Sequence, residues 1–433
     1  MSSLNGHSRR PGGAVAGSLW RETAAAGPEF GALVGDRETD VLVIGGGVAG
    51  LSAALHLAEA GVNVTLLEAG EVGSGATGQS GGLIAPDFIR HSPAKVEAAF
   101  GTQAGGRLVR LVAKSAQLCF DLVARHGIDC DARQDGFWSP AHTEPLVAAQ
   151  QDYAEQWRER GFDVDFVGPE ETGAALGSRE YLGALRFIDG GSLNPLAFAR
   201  GLARVAAGAG AGVFTGCPVS GLVQTAGGWR AVTPRGSVTA RRLVLAANGG
   251  NPALHPALRD TILPLRVVEF ATEPLSAAER AWILPRGGSF TDKKPYVFTA
   301  RYDGGGGLVS AFARTFLVQG ERAVRAEARR RLVRAFEGMA TPRISHVWEG
   351  TAWVNTSFLP ELYDLGGDAL AIQACNGRGL AINAGIGREV AQALAAGSRS
   401  GLSVTPRRPV PIRMHAGAMV LPRLLMSLAR LSN

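Results

Sequence analysis

Between Asp40 and Glu68 the chain reads DVLVIGGGVAGLSAALHLAEAGVNVTLLE, and few folds accommodate that stretch. The apolar run Val41 to Ile44 leads directly into Gly45-x-Gly47-x-x-Gly50, a helical segment runs from Leu51 to Ala60, and a second apolar run, Val62 to Leu67, follows. Strand, tight turn, helix and strand in this order predict one βαβ unit of a parallel sheet. Gly45 lets the chain turn off the strand, Gly47 leaves room for backbone to approach a pyrophosphate, and Gly50 lets helix and sheet pack closely. Val48 and Ala49 lie inside this turn, where unpaired N–H groups and the helix dipole favour an anion. Glu68 closes the second strand eighteen residues after Gly50, placed with Ala69 to meet an adenosine ribose and poorly suited to a 2′-phosphate. A glycine triplet alone says little in a chain with 59 glycines. With both strands, the helix and the terminal carboxylate in register, a bound dinucleotide is expected.

At 433 residues the chain has room for two domains, and 46% hydrophobic residues supply a sizeable core. The net charge of 44 − 38 = +6 is spread over that length, and the densest basic cluster, ERAVRAEARRRLVR from Glu321 to Arg334, reads as a solvated helix. Its apolar residues Ala323, Val324, Ala328, Leu332 and Val333 recur at helical spacing, so no nucleic-acid partner is expected. Cys119, Cys130, Cys217 and Cys375 form no C-x-x-C pair and no metal-ligand spacing with histidine. They predict a reducing compartment, no redox disulfide and no metal. Arg9-Arg10 precede PGGAVAG, which is too short and glycine-rich for an export signal, so a cytoplasmic location is expected. No eighteen consecutive apolar residues occur, and no transmembrane helix is predicted.

Along the chain, residues 1–39 read as an arm that docks through Trp20. The run GSGATGQSGG, Gly73 to Gly82, suits close approach to something flat or anionic, with Gly75, Ala76, Thr77, Ser80 and Gly81 positioned to join it. Mainly helical periodicity follows to Arg160, interrupted by a strand at Gly136 to Ser139. A helix from Leu196 to Ala207 precedes strands at Val213-Phe214 with Cys217 to Val219, and a hairpin-like pair at Trp229 to Val232 and Ser237 to Ala240. The stretch RLVLAANGG, Arg242 to Gly250, predicts another parallel strand delivering backbone at Ala247 and Asn248 to a ligand. From Ile262 to Phe316 alternation predicts a broad antiparallel sheet. Leu370 to Ala374 then runs into Cys375-Asn-Gly-Arg-Gly379 and a long helix, Leu380 to Ala396, so a second helix dipole can point at the same ligand. The tail ends in an apolar, basic helix, Ala418 to Leu431, read as a packing element, with a membrane-surface element as the alternative.

These motifs and their order resemble the D-amino acid oxidase-like flavoprotein family, most closely the branch around gamma-glutamylputrescine oxidase and related amine oxidases. The resemblance runs from about Ser18 to Leu431 through SLWRETAAAGPEF, the dinucleotide motif, GATGQSGG, DGGSLNP, LVLAANGG, EFATEPL, HVWEGTAWV, CNGRGLAINAGIGREVA and TPRRPVPI. It implies an α/β architecture in which a Rossmann-type FAD-binding domain (40–90, 185–255 and 345–400) is interleaved with an antiparallel-sheet substrate domain (91–184 and 256–344). Residues 1–39 form the arm and 401–433 the tail. It further implies FAD held by Gly45, Gly47 and Gly50 at the pyrophosphate, Glu68 at the ribose and Val219 at the adenine. Ala76, Thr77 and Ser80 to Gly82 would lie along the pyrophosphate and ring, with Gly377, Arg378, Gly379 and Leu380 near the ring's pyrimidine end. Family members often carry Arg where this chain has Gln79, His where it has Arg378, and Asp near Ser357.

The implied reaction oxidises a C–N bond: a small-molecule amine or amino acid loses hydride to the flavin N5, giving an imine that hydrolyses to a carbonyl. Electrons then pass to O2 or another acceptor. Candidate pocket residues are Glu269, Tyr296, Arg301, His346, Trp348 and Arg378. Trp348 also suits a core, His346 a sheet hydrogen bond, and Arg301 with Glu269 a pair across the sheet. Arg378 reads as a permanent cation near the flavin, and Arg301, Arg314 and Arg378 hint at an anionic group on the substrate. Cys375 is read as a noncovalent neighbour of the ring. Two alternatives stand beside the amine reading. A flavin monooxygenase usually has a late Gly-Asp-Ala-type motif where this chain reads CNGRGL, and a flavin-binding non-catalytic partner subunit would retain flavin that no amine reduces.

Overall fold

Val41 and Val43 face one hydrophobic core while Leu42 and Ile44 face another, so the strand they form, β1 (Arg37–Ile44), is buried on both sides. Such a strand belongs at the centre of a parallel sheet. In the computed structural model, which describes residues 17–373 and 376–432, β1 pairs in parallel with β2 (Val64–Leu67) on one side and β11 (Gly236–Leu245) on the other. β8 (Gly212–Phe214) extends the sheet beyond β2, and β18 (Ala369–Gln373) extends it beyond β11. β17 (Glu361–Gly366) closes that edge antiparallel. β11 has two roles. Its first half pairs with β10 (Gly228–Thr233), which hairpins to β9 (Gly221–Thr225), and its fully buried second half, Leu243 to Leu245, lies in the parallel layer. The strand expected to continue through Cys217 to Val219 stops at Phe214, and Cys217 donates its N–H to Glu68 O (2.9 Å).

The first glycine-turn helix starts at Val48, three residues earlier than the periodicity indicated, and ends at Glu59. The helix Gly379–Ala396 packs on it, with Ser52 Oγ donating to Ala384 O (2.7 Å). Leu108, Val109, Val112 and Leu118 of the helix Thr102–His126 enter the same core.

The second sheet has the order β16 (Ile344–Val354), β12 (Leu263–Thr272), β15 (Leu308–Ala313), β14 (Thr299–Tyr302), β13 (Ser289–Thr291), β4 (Phe137–Ala141), β6 (Gly183–Phe187), β5 (Val164–Val167). All its pairs are antiparallel except β13 with β4. On one face Val268, Phe270 and Phe312 pack against the basic helix Gly320–Ala335. That helix buries Val324, Ala328 and Leu332, whereas Ala323 and Val333 of the expected stripe are exposed. On the other face Ala271, Val309 and Trp348 pack with Trp20. Between the sheets β3 (Leu83–Ile84) pairs with β7 (Gly191–Ser192). Sheet membership cuts across the expected intervals: β16 and the end of β6 lie in the second sheet, and the helix Thr102–His126 packs with the first. No helix among the described residues is long and apolar enough to cross a membrane.

Candidate active site

The opening turn is a cradle with open floor space. Gly45 has φ +119°, and a Cβ there would stand 2.7 Å from the Ala246 carbonyl; a Cβ on Gly50 would stand 2.0 Å from Gly45 O. Only glycine fits either position. Gly47 differs, since its Cβ would meet nothing but Thr77 Oγ1 at 3.2 Å, and a Cβ on Gly75 would meet nothing within 4 Å. Val48 donates its N–H to Thr77 Oγ1 (3.2 Å), which joins the helix start to the second glycine run, while the side chains of Val48 and Ala49 are in the core. At the end of β2, Glu68 accepts the N–H groups of Gly46 (2.6 Å) and Gly70 (2.8 Å). Burial raises its carboxyl above the ordinary value, and those N–H groups pull it back. Ala69 is exposed beside it, and Val219 packs half-buried on the cluster of Leu67 and Cys217. Past the end of β11, the Asn251 side chain accepts the Ala247 N–H (2.9 Å), and Asn248 Oδ1 is buried without a hydrogen-bond partner among the described residues. Open glycine floors, a helix N-terminus, a ribose-positioned carboxylate and an orphaned acceptor fit a bound dinucleotide.

The second glycine run is gripped from the opposite sheet. It forms a short helix, Ala76–Gln79, and then the turn Ser80 to Gly82 leading into β3. Trp20 Nε1 donates to Ser80 O (2.8 Å), Trp348 Nε1 to Gln79 O (3.0 Å) and Arg301 Nε to Gly81 O (2.7 Å). Gln79 Oε1 accepts the Thr351 N–H (3.3 Å). The two indoles meet edge to face at 5.7 Å, and the Arg301 guanidinium lies 4.6 Å over Trp20. Arg301 also donates to Leu193 O (3.0 Å) and Tyr302 O (3.0 Å). Glu269 Oε2 stands 3.0 Å from the point a Gly81 Cβ would occupy and has no hydrogen-bond partner among the described residues. Burial pushes the Glu269 carboxyl up to about 8, against the pull of Arg301 and the Gly81 N–H.

A third group closes the site. Arg378 is the N-cap residue of the helix Gly379–Ala396, where a cation opposes the helix dipole. Its compensation is Asp87, 1% exposed, whose Oδ1 accepts from Arg378 Nε (2.8 Å) while Lys293 Nζ stands 3.6 Å from Oδ2. Arg378 also donates to Thr291 Oγ1 (3.4 Å) and lies 4.9 Å over the Phe137 ring. Burial lowers the Lys293 ammonium below its ordinary value and Asp87 partly restores it. Gly377 beside Arg378 is open, since a Cβ there would meet only Ile89 at 3.5 Å, and Gly379 and Leu380 begin the helix. Cys375 lies outside the described residues.

The six sequence candidates therefore divide. Glu269, Arg301 and Trp348 converge on the Gln79–Gly82 turn; Arg301 and Trp348 are clamps, and Arg301 with Glu269 meet the turn rather than each other. Tyr296 is corrected out of the pocket: its hydroxyl donates to Ala313 O (3.2 Å) and Arg331 lies 4.3 Å over its ring, in the core beneath the basic helix. His346 stands 3.1 Å from Glu22 of the arm helix Leu19–Thr23, outside this cluster. Arg378 is no free cation, because Asp87 pairs it; Arg314 is spent on Glu349 at 3.5 Å. Ser357 Oγ is tied to Asn355 (3.1 Å) within its own turn. Asp87, Lys293 and Thr291 escaped the sequence reading. The signal available was a carboxylate five residues beyond Gly82 in an otherwise apolar continuation, LIAPDF. A separate concavity of about 410 Å3, lined by Gln151, Asp152, Glu155, Arg158 and Phe166, holds none of these groups.

An open Rossmann-type cradle facing an antiparallel sheet across a clamped glycine turn defines a flavoprotein oxidoreductase. The DAO family model, described as FAD dependent oxidoreductase, matches residues 40–393, and the chain belongs to that family. It is an FAD-dependent oxidoreductase. The chain is 28% identical over 398 residues to the probable oxidoreductase OrdL of Rhizobium meliloti, covering 91% of this chain and 92% of that one. It is 26% identical over 359 residues to the gamma-glutamylputrescine oxidoreductase of Escherichia coli, covering 82% and 83%. The L-proline dehydrogenase of P. horikoshii has the same fold, with a TM-score of 0.72 at 19% identity over 84% of this chain and 95% of that one.

Proposed function

We propose that this enzyme oxidises the C–N bond of an amine or amino acid that also carries an anionic group. The observation that carries the reading is the cluster of half-buried Arg378 and Lys293 around buried Asp87, two cations around one carboxylate, placed where the helix N-terminus, the chain beyond β3 and the second sheet meet. A net positive site of this kind draws a carboxylate and orients the amine at its other end. Gly45, Gly47, Gly50 and Thr77 would hold the FAD pyrophosphate, Glu68 the ribose, and the Ser80–Gly82 turn with Gly377–Gly379 the flavin ring. When bound, FAD supplies a two-electron acceptor for hydride.

The chain's own residues do the rest. Trp20, Trp348 and Arg301 fix the turn so that the site costs little to reorganise. Glu269, holding its proton below about pH 8, adds no negative charge beside Gly81. The substrate binds with its nitrogen neutral; the lone pair forms the C=N bond as the α C–H leaves as hydride, and water later splits the imine into a carbonyl compound and ammonia or a smaller amine. Buried thiols at Cys119, Cys130 and Cys217 fit a reducing, cytoplasmic setting.

The test is anaerobic. The visible flavin band of the purified holoenzyme is followed while amines, N-methyl amino acids, D-amino acids and gamma-glutamylated polyamines are added. Bleaching by a substrate with an anionic group, and not by its uncharged analogue, supports the proposal. Readmitted air then sorts oxidase from dehydrogenase. Bleaching by NADPH alone replaces it with a monooxygenase, and flavin that nothing reduces makes the chain a non-catalytic partner.

A further inference from the structure

The helix Leu421–Leu431 is mounted with its apolar side outward. The side facing the protein carries Ser427, whose Oγ accepts the Phe316 N–H (2.9 Å), Arg423, which donates to Thr315 O (3.2 Å), and Arg430, paired with Glu327 at 2.9 Å. Leu421, Leu424, Leu425, Leu428 and Leu431, spaced i, i+3, i+4, i+7 and i+10, all face solvent, from 46% exposed at Leu421 to 69% at Leu431. A surface helix ordinarily does the reverse. Phe316 and Leu317 are exposed on the same surface, next to Arg423.

Charge decides what covers this face. After Glu389 the chain contains no further Asp or Glu but six arginines; Arg399, Arg407 and Arg430 pair with Asp364, Glu361 and Glu327 and Arg423 donates to Thr315 O, which leaves Arg408 and Arg413 as the segment's unpaired cations among the described residues. Arg408 and Arg413 are exposed before the helix, and Arg322 is exposed just beyond Leu317. A second copy set against this face would bring arginine to arginine with no carboxylate from the segment to offset it. The face of one helix, roughly 15 Å by 10 Å, is also far below the about 800 Å2 per partner of a standard interface. A planar anionic surface has neither difficulty. We infer that the terminal helix is a membrane-surface anchor: its outward leucines enter the acyl boundary of an anionic phospholipid leaflet while the surrounding arginines meet the head groups.

The test sediments the full-length holoenzyme with vesicles of phosphatidylcholine containing phosphatidylserine, or of phosphatidylcholine alone. The expected result is pelleting with the anionic vesicles, weakened at high salt, and weaker on the neutral ones. Leu424→Glu with Leu428→Glu is expected to lower the apparent binding constant by at least about tenfold while leaving flavin content and thermal unfolding unchanged. Arg322→Glu with Arg413→Glu, which leaves the leucines in place, is expected to abolish the preference for anionic vesicles. No pelleting with anionic vesicles, equal binding to neutral vesicles, or binding indifferent to both pairs of substitutions overturns the proposal. So does a dimer in sedimentation equilibrium that the leucine substitutions dissociate, since a second copy would then own the face.

Discussion

Asparagine at position 87 would keep the shape of the Arg378 cluster and remove the carboxylate between its two cations. At the observed 3.6 Å to Lys293, one charge pair is worth about 5 kcal/mol at an effective dielectric of about 20, and at 2.8 Å to Arg378 about 6 kcal/mol. The full loss does not appear, because burial already lowers the Lys293 pKa and, without Asp87, the amine can shed its proton. Asp87→Asn is therefore expected to cost about 3 kcal/mol near neutral pH, the usual scale for breaking a buried pair. The sign of the pH dependence follows from the lysine. A cation whose folded pKa is depressed is protonated in the unfolded chain and neutral in the fold, so stability rises with pH between the folded and unfolded values. The mutant's deficit against wild type should accordingly shrink as pH rises from neutral towards the ordinary lysine value, and adding Lys293→Met should recover part of it at neutral pH. Urea unfolding followed by tryptophan fluorescence reads both. In turnover at the acid end of the range, where Lys293 keeps its proton in the variant, the cluster's charge rises from +1 to +2, which should lower KM for an anionic amine and leave an uncharged analogue unchanged. A deficit that does not vary with pH, or a KM that rises for the anionic substrate, refutes the reasoning.

Glu269→Gln should stabilise the protein on the alkaline side. The folded carboxyl titrates at about 8, above its unfolded value, so the stability of the neutral form is complete at low pH and is lost as pH rises through about 8. The variant's advantage in thermal unfolding should grow between about pH 4.5 and about pH 8 to the order of 5 kcal/mol and then level off; an advantage already complete at acid pH would be wrong. Trp20→Ala removes a 1%-exposed indole and the donor to Ser80 O, and should cost about 3–5 kcal/mol and release FAD, measured by flavin retained after gel filtration. Gly47→Ala, whose Cβ would meet only Thr77 Oγ1, should leave apoprotein unfolding unchanged and lower FAD affinity by at least about tenfold, whereas Gly50→Ala, 2.0 Å from Gly45 O, should fail to form the turn at all. Equal FAD affinity for Gly47→Ala and wild type would remove the pyrophosphate from that position.

The parts of this fold legible in sequence were those written as contiguous periodicity. β1, the helix after it, β2 and the paired strand and helix near Arg378 all alternate between apolar runs and glycine, and local sterics decide them. The antiparallel alternation from Ile262 to Phe316 likewise betrayed the second sheet. What stayed hidden was pairing between distant segments. Arg301 reads as a pocket cation until Gly81 O, Leu193 O and Tyr302 O consume its donors, and Arg378 reads as free until Asp87 arrives from elsewhere in the chain. Tyr296 looked available because its strand position was set by the irregular segment before β14 rather than by the alternation around it. The helix Thr102–His126 was visible as a helix, but its choice of the first sheet's core rested on Leu111 and Ser115 meeting the helix Gly379–Ala396 side by side, which no spacing records.

The clamp on the Gln79–Gly82 turn has a consequence in time. Trp20 and Ser80 are 60 residues apart, but Trp348 and Gln79 are separated by 269. At about 5–20 residues per second a ribosome needs roughly 15 to 50 seconds to supply the second indole after the turn has emerged. Until Arg301 emerges, 220 residues after Gly81, the βαβ unit can close on itself while the turn is held by Trp20 alone. Capture of FAD thereby waits for β16, and a nascent chain stalled before it would hold a folded nucleotide cradle that lets its cofactor go.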